Sequence, residues 1–197
     1  MGISTHIIDK VAKLVKRYGT RDPYKLCECL GIKIHFYDME KKLKGFFFYQ
    51  SRQKNIVIDS NVNETLERIL VAHELGHAVL HAHIAMMKGF QEMELLDESS
   101  LEENEANFFA AELLLEDDPV LELLSEYSFF ETAKQLYVPA ALLDYKFSLL
   151  HEKGRLVNPI HIRKSDFLKE DLGCYDDKGY MEYSSQKHTM TDNSTPA

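Results

Sequence analysis

Residues 73–77 read His-Glu-Leu-Gly-His, and they place two imidazoles and a carboxylate inside an otherwise apolar run from residue 69 to residue 80. Such a run predicts a buried helix, on which residues four apart are neighbours on one face. His73 and His77 are therefore spaced to chelate one metal ion, while Glu74, about 100° further round the helix, can reach a water molecule at that ion. A buried Glu without a partner is costly, so its presence needs a reason. The alternative is a helix whose His and Glu merely face solvent or a polar contact.

This HExxH arrangement is typical of zinc-dependent peptidases, and it requires a third ligand. His83 has the spacing of the extended HExxHxxGxxH motif, but that motif needs a Gly, where this chain has Leu80, so that the helix can end and the chain can turn back. His81 lies one turn beyond His77 on a straight helix, too far along to share a tetrahedral ion with His73. We expect His81 to be a polar residue near the mouth of the metal pocket or the end of the helix. It could also hydrogen-bond to a metal ligand or donate to the oxyanion of the reaction, and both alternatives stay open.

Residues 102–114 read as a second helix, whose small residues would allow a close approach to the first. One stripe with helical spacing presents a carboxylate and an amide on a mostly small, apolar face: Glu103, Ala106, Asn107, Ala110 and Leu114. Glu103 is the best candidate for the third ligand, and Asn107 is placed to accept a hydrogen bond from the ring N–H of a ligating His. Three other carboxylates are predicted to be solvated helix charges: Glu102, Glu105 and Glu112.

The segments HELGHAVLH, from residue 73, and ENEANFFAAELL, from residue 103, together resemble the ImmA/IrrE family of metallopeptidases, bacterial proteins tied to phage, mobile-element and stress regulation. The resemblance runs from about residue 25 to about residue 155. It implies zinc on His73, His77 and Glu103, a gluzincin-like ligand set, with Glu74 as general base. It also implies a soluble intracellular peptidase whose substrate is a transcriptional repressor. Members often continue Leu-Leu-Met-Pro, whereas this chain reads Leu-Leu-Glu-Asp-Asp-Pro from residue 114, a departure that leaves the metal residues untouched.

Composition favours a soluble cytoplasmic protein. The chain has 197 residues, of which 45% are hydrophobic, and this is enough to bury a substantial single core. It has neither a signal pattern nor an apolar stretch long enough to cross a membrane. The net charge of −9 opposes a simple nucleic-acid binder, because duplex DNA demands a concentrated basic face. Cys27, Cys29 and Cys174 form no CxxC pair, which predicts free thiols in a reducing compartment.

The element order predicts an α+β fold, a small zincin-like metallopeptidase core with an additional C-terminal helical hairpin. Two helices, at residues 4–18 and 23–30, precede strands at 32–37, 43–49 and 55–59 and the metal helix at 63–83. Polar turns between the strands indicate an antiparallel meander. The strand around Phe46 to Tyr49 is the candidate edge for an extended peptide substrate, and aromatic packing under the metal helix is the alternative interpretation.

The predicted organisation is a zinc metallopeptidase core at residues 1–127, a helix-turn-helix-like hairpin packed on it at 128–155, and an extension at 156–197 whose end is disordered. A helix that reads DNA would carry Arg, Lys, Asn or Gln early in its length. Residues 139–142 read Pro-Ala-Ala-Leu instead, so the hairpin is expected to pack on the core or to hold a partner.

The HExxH motif and its candidate third ligand predict a zinc-dependent endopeptidase without direct nucleic-acid or membrane contact. The resemblance implies, more narrowly, a site-specific anti-repressor protease that cleaves a helix-turn-helix repressor of a phage or mobile element. Two hypotheses from other classes remain. One is a non-catalytic, metal-bearing regulator that binds a repressor without cutting it, and the other is a DNA-binding regulator that uses the hairpin.

Overall fold

The computed structural model describes residues 3–40, 43–83 and 101–155, which form an α+β arrangement, as predicted. Helices α1 (Ile3–Tyr18) and α2 (Pro23–Cys29) precede strands β1 (Ile32–Tyr37), β2 (Gly45–Gln50) and β3 (Gln53–Asp59). Helix α3 (Glu64–Leu80) follows, and then come α4 (Leu101–Leu114), α5 (Asp117–Glu126), α6 (Phe129–Gln135) and α7 (Ala140–Glu152).

Local sequence signals account for where the helices begin and end. Asp22 accepts a hydrogen bond from the Tyr24 N–H at the start of α2, with Pro23 in the first helical position. Gly31, with φ of 66°, turns the chain after that helix into β1. Asn63 caps α3 in the same way, through the Leu66 N–H at 2.8 Å.

The three strands form a mixed sheet, and the predicted antiparallel meander is wrong. The strand order is β1-β3-β2, with β1 parallel to β3 and β2 antiparallel to β3. The turn between β2 and β3 has only two residues, Ser51 and Arg52, both with positive φ, and a turn of this kind joins adjacent antiparallel strands. The link between β1 and β2 is longer, and it leaves room for β3 to insert between them.

Strand β3, in the centre, is the most buried of the three. Ile56, Val57 and Ile58 are all buried, so both faces of this strand are covered. Asp59 at its end accepts hydrogen bonds from the backbone N–H groups of Met39 and Asn61, which holds the incoming link over the strand end.

Helix α3 packs on β2 and β3 and is crossed closely by α4. A Cβ atom at Gly76 would lie 3.1 Å from the Ala106 Cα and 3.2 Å from the Phe109 Cβ, which is tighter than ordinary van der Waals contact, so the two helices approach closely at this glycine. The small residues of α4 therefore do what their sequence pattern predicts.

Helix α7 is tied to α4 and α5 by buried charges. Lys146 is fully buried, and its Nζ lies 2.8 Å from Glu112 Oε2. Lys153 Nζ lies 2.7 Å from Glu112 Oε1 and 2.8 Å from Asp117 Oδ1. The prediction that Glu112 is a solvated charge is wrong, because α7 covers it and supplies two ammonium partners.

One cluster of buried apolar side chains runs through the described chain, with members as far apart in sequence as Ile7 and Leu150. Phe129 and Ala133 of α6 belong to it as well. The division into a core at 1–127 and a hairpin at 128–155 stays a prediction. The extension at 156–197, which includes Cys174, lies outside the described residues.

Replacing Gly76 with Ala should destabilise the protein by about 1–3 kcal/mol, because the added methyl group overpacks the contact between α3 and α4. In a helix with free space at this position, Gly→Ala stabilises by roughly 1 kcal/mol. The sign of the change in the free energy of unfolding therefore shows whether α3 and α4 are in tight contact. Urea denaturation gives the free energy of unfolding. Thr65→Ala, on the exposed side of α3, is the control and should change it by less than about 0.5 kcal/mol. A Gly76→Ala protein at least as stable as the wild type would show that the helices have room.

Replacing Asp117 with Asn should lower stability at neutral pH and lose its effect in acid. Burial alone would raise the pKa of Asp117, but hydrogen bonds from Lys146 and Lys153 lower it to about 2. A carboxyl whose pKa is lowered by folding contributes stability above its unfolded pKa of about 4, and this is lost as pH falls towards 2. The expected loss at pH 7 is about 1–2 kcal/mol after allowance for solvent screening, measured by urea denaturation with chelator present.

The control for this experiment is Asp118→Asn on the same helix. Asp118 is largely exposed and pairs with Arg155 on the surface, so the change should be nearly neutral at every pH. Equal losses in the two variants would contradict the assignment of the stabilising charge to Asp117.

Candidate metal centre

Helix α3 brings two imidazoles together on its buried face. His73 and His77 are 1% and 9% exposed, and their Nε2 atoms lie 3.1 Å apart. This follows from helical geometry, because residues four apart stack on one face.

Helix α4 supplies a carboxylate that faces both rings. Glu103 Oε2 lies 3.1 Å from His73 Nε2, and its Oε1 lies 3.1 Å from His77 Nε2. Burial alone would raise the pKa of Glu103, but its contacts with the two imidazoles outweigh that effect and hold its pKa well below the usual range. The group is therefore an ionised carboxylate, which is the form that binds a metal.

The three side chains have the donor chemistry and spacing of a zinc site. One donor atom from each of His73, His77 and Glu103 falls within a common span of 4.8 Å. Ligands at the usual distances of about 2.0–2.2 Å from a tetrahedral zinc ion are roughly 3.3 Å apart, close to the separations between these donors. His83 is exposed beyond the end of α3 and does not belong to the group. Two imidazoles and a carboxylate therefore fit the metal that the sequence predicts.

Glu74 approaches the same place from the sheet side. It is 5% exposed, and the backbone N–H of Phe47 in β2 donates a hydrogen bond to it. Its Oε1 would be 3.3 Å from a Cβ atom at Gly45, so the absence of a side chain there leaves space for the carboxylate. Burial raises the pKa of Glu74 to about 7; His77 opposes this shift and Glu103 adds to it. Glu74 is thus a buried carboxyl able to gain and lose a proton near neutral pH.

A second pair of residues stands behind His77. His81 Nδ1 lies 3.1 Å from His77 Nδ1, and His81 Nε2 lies 2.7 Å from Glu105 Oε2. The prediction that Glu105 is a solvated charge is wrong, because α4 turns it towards the buried His81 at the end of α3. Burial lowers the pKa of His81, although Glu105 acts in the opposite direction. The periodicity of α4 places Glu105 on a different face from Glu103, so it did not predict the contact with His81. The sequence signal for a role of His81 was that His recurs every four residues at 73, 77 and 81.

Asn107 is buried on the predicted face of α4, but its contacts differ from those expected. Its Nδ2 donates to the Tyr145 hydroxyl at 3.2 Å, and its Oδ1 has no hydrogen-bond partner among the described residues. The Nδ1 atom of His73 likewise lacks a partner in the described structure. The hydrogen bond between Asn107 and a ligating His is not formed here and stays a prediction.

The start of α7, where a DNA-reading helix would expose its specificity residues, is apolar and covered. Ala141, Leu142 and Leu143 are all buried. No helix in the described part of the chain is long and apolar enough to span a membrane.

An α+β chain that gathers two histidines and a glutamate beside a buried carboxyl has the make-up of a metallopeptidase. Comparison with known proteins gives the same class. Residues 27–148 match the peptidase M78 family, described as the IrrE N-terminal-like domain. The chain therefore belongs to the M78 family of IrrE-like peptidases.

Two relatives are similar over most of their length. Uncharacterized immunity region protein 2 of Bacillus phage phi105 is 37% identical over 148 residues, which cover 74% of this chain and 91% of that protein. Metallopeptidase ImmA of Bacillus subtilis (strain 168) is 29% identical over 148 residues, which cover 74% of this chain and 86% of that protein.

Replacing Glu103 with Gln should weaken zinc binding by more than about 100-fold. Loss of a residue that only hydrogen-bonds to a metal ligand typically costs about 10–100-fold in affinity, and loss of an anionic ligand itself should cost more. Competition with a chromophoric chelator measures the affinity. Glu102→Gln removes the same charge one residue earlier on α4 and should leave the affinity within a few-fold of the wild type. Equal zinc affinities in the Glu103→Gln and wild-type proteins would exclude Glu103 as a ligand.

Proposed function

We propose that this protein is a zinc-dependent endopeptidase that cleaves a helix-turn-helix transcriptional repressor of a phage or mobile element. The observation that carries the proposal is the position of Glu74, a buried carboxyl held between the His-His-Glu group and the backbone of β2. A protein that used the metal for folding alone would have no need of an ionisable group at that point.

His73, His77 and Glu103 would hold the ion. When bound, zinc with three protein ligands supplies Lewis acidity, which lowers the pKa of water towards neutrality and polarises the scissile carbonyl. Glu103 contributes negative charge, and the two neutral imidazoles leave the net charge of the centre positive.

Glu74 moves the proton in this mechanism. Its carboxylate takes a proton from the attacking water and then delivers it to the nitrogen of the leaving amine. Burial raises the pKa of Glu74, which strengthens its carboxylate as the base for this proton transfer. The Phe47 N–H fixes the carboxylate in place throughout.

The outer edge of β2 is where the backbone of an extended substrate would bind, as an added strand. The Asp59 N–H donates to the Lys44 carbonyl, so these two residues form a hydrogen-bonded pair where β2 begins beside β3. In an antiparallel pair of strands, every second residue points its backbone N–H and C=O groups at the partner strand. The backbone groups of Gly45, Phe47 and Tyr49 therefore point away from β3. The bond from Phe47 to Glu74 agrees with that direction. An extended peptide added to this edge would lie beside Glu74.

The relatives support the choice of substrate class. One is a phage immunity-region protein and the other is named a metallopeptidase, which together favour a protease acting in the control of a mobile element. The net charge of −9 also complements a repressor, whose DNA-contacting surface is basic. Direct DNA binding through α6 and α7 is disfavoured, because the first turns of α7 are buried.

Replacing Glu74 with Gln should abolish cleavage while zinc binding persists, because the amide cannot take a proton but occupies the same space. A decrease in rate of at least about 100-fold is expected from loss of general-base catalysis. The assay incubates the protein with a candidate helix-turn-helix repressor, sought in the adjacent reading frame, and follows fragments by gel and mass spectrometry, with and without chelator.

Glu64→Gln, on the exposed first turn of the same helix, is the matched control and should cut at the wild-type rate. Undiminished cleavage by Glu74→Gln would remove Glu74 from the mechanism. Zinc binding by the wild type without any chelator-sensitive cleavage would favour the non-catalytic regulator instead.

A further inference from the structure

The imidazole of His77 has two nitrogens, and both are engaged. Its Nε2 faces His73 and Glu103 in the metal centre, while its Nδ1 lies 3.1 Å from the Nδ1 of His81. His81 is 7% exposed, and its Nε2 lies 2.7 Å from Glu105 Oε2. A line of hydrogen-bonding groups therefore leads from the metal centre through two rings to a carboxylate.

One arrangement of protons satisfies every contact in this line. Binding a metal through Nε2 leaves the proton of His77 on Nδ1, where it can only donate. The facing Nδ1 of His81 must then accept, so His81 carries its own proton on Nε2. That proton points at the carboxylate of Glu105, which accepts it and thereby fixes the tautomer of His81.

We propose that His81 and Glu105 are positioning residues that set the orientation and tautomer of His77 and thereby the affinity of the metal centre. This inference rests on the proposed metal site but not on the identity of the peptidase substrate. Carboxylates commonly orient a metal-binding histidine directly, and here a second histidine stands between them.

The contrast with His73 supports a specific role. Both rings belong to α3, yet the Nδ1 of His73 has no hydrogen-bond partner in the described structure. Glu103 faces both rings, but in the described structure His77 has the His81 side chain behind it at Nδ1 whereas His73 has no such partner. We call His81 and Glu105 together the relay. Loss of the relay should therefore disturb one of the three metal ligands, His77.

The test measures zinc affinity by chelator competition in the full-length protein. His81→Leu removes the acceptor and should weaken zinc binding 10–100-fold. Glu105→Gln should weaken it by about 3–10-fold, because an amide tolerates either tautomer of His81. His81→Asn restores an acceptor near the Nδ1 position and should recover part of the loss. Glu64→Gln, the same charge change on the exposed first turn of α3, should leave the affinity within about twofold of the wild type.

Two further measurements separate positioning from structural support. The visible spectrum of the Co²⁺-substituted protein should shift in His81→Leu and Glu105→Gln and stay unchanged in Glu64→Gln. The thermal midpoint of the metal-free protein should be the same in Glu105→Gln and Glu64→Gln. Should His81→Leu fail to fold, Glu105→Gln and His81→Asn still provide the comparison.

Wild-type zinc affinity and an unchanged Co²⁺ spectrum in both His81→Leu and Glu105→Gln would overturn the relay and leave the metal site standing. A wild-type protein that binds zinc no better than Glu103→Gln would overturn the metal site, and the relay with it. Loss of cleavage in Glu74→Gln bears on the peptidase alone.

Discussion

The close approach of α3 and α4 is the constraint on which the rest of the structure depends. Gly76 lies against the Ala106 backbone, and a Cβ atom at this position would lie 3.1 Å from the Ala106 Cα, which is tighter than ordinary van der Waals contact. Gly76 lies three residues after His73 and directly before His77, and Ala106 lies about one turn after Glu103. The contact therefore adjoins the candidate centre, where the oxygen atoms of Glu103 lie 3.1 Å from the two imidazole nitrogens.

The sheet completes the site from the other side. Strand β2 lies at an edge because β3, apolar on both faces, occupies the centre. The edge position leaves the Phe47 N–H pointing away from β3, and it bonds Glu74. Among the described residues, the same arrangement places the buried carboxyl beside the outer edge of β2, so the mixed topology bears directly on the chemistry proposed for the site.

Two buried polar groups show how the protein accommodates charge away from solvent. Lys146 is fully enclosed, yet Glu112 and Asp117 neutralise it, so α7 is fastened to α4 and α5 by paired charges. His81 is also buried, and it is matched by His77 on one nitrogen and by Glu105 on the other. In both cases α4 contributes a carboxylate, which makes this helix the common support of the metal centre and of the C-terminal helices.

The sequence by itself determined the local features of this protein. Helical spacing put His73 and His77 on one face, the small-residue stripe put Glu103 on a helix able to approach them, and Asp22, Pro23 and Gly31 marked the bounds of α2. Only the tertiary structure decided that β3 lies between β1 and β2, that Glu105 turns to His81, and that Glu112 is buried under α7. The physical reason is that periodicity reports which residues share a face of one element. Strand order and the partners of a buried charge depend on which elements pack together, and that is settled by contacts between residues far apart in the chain.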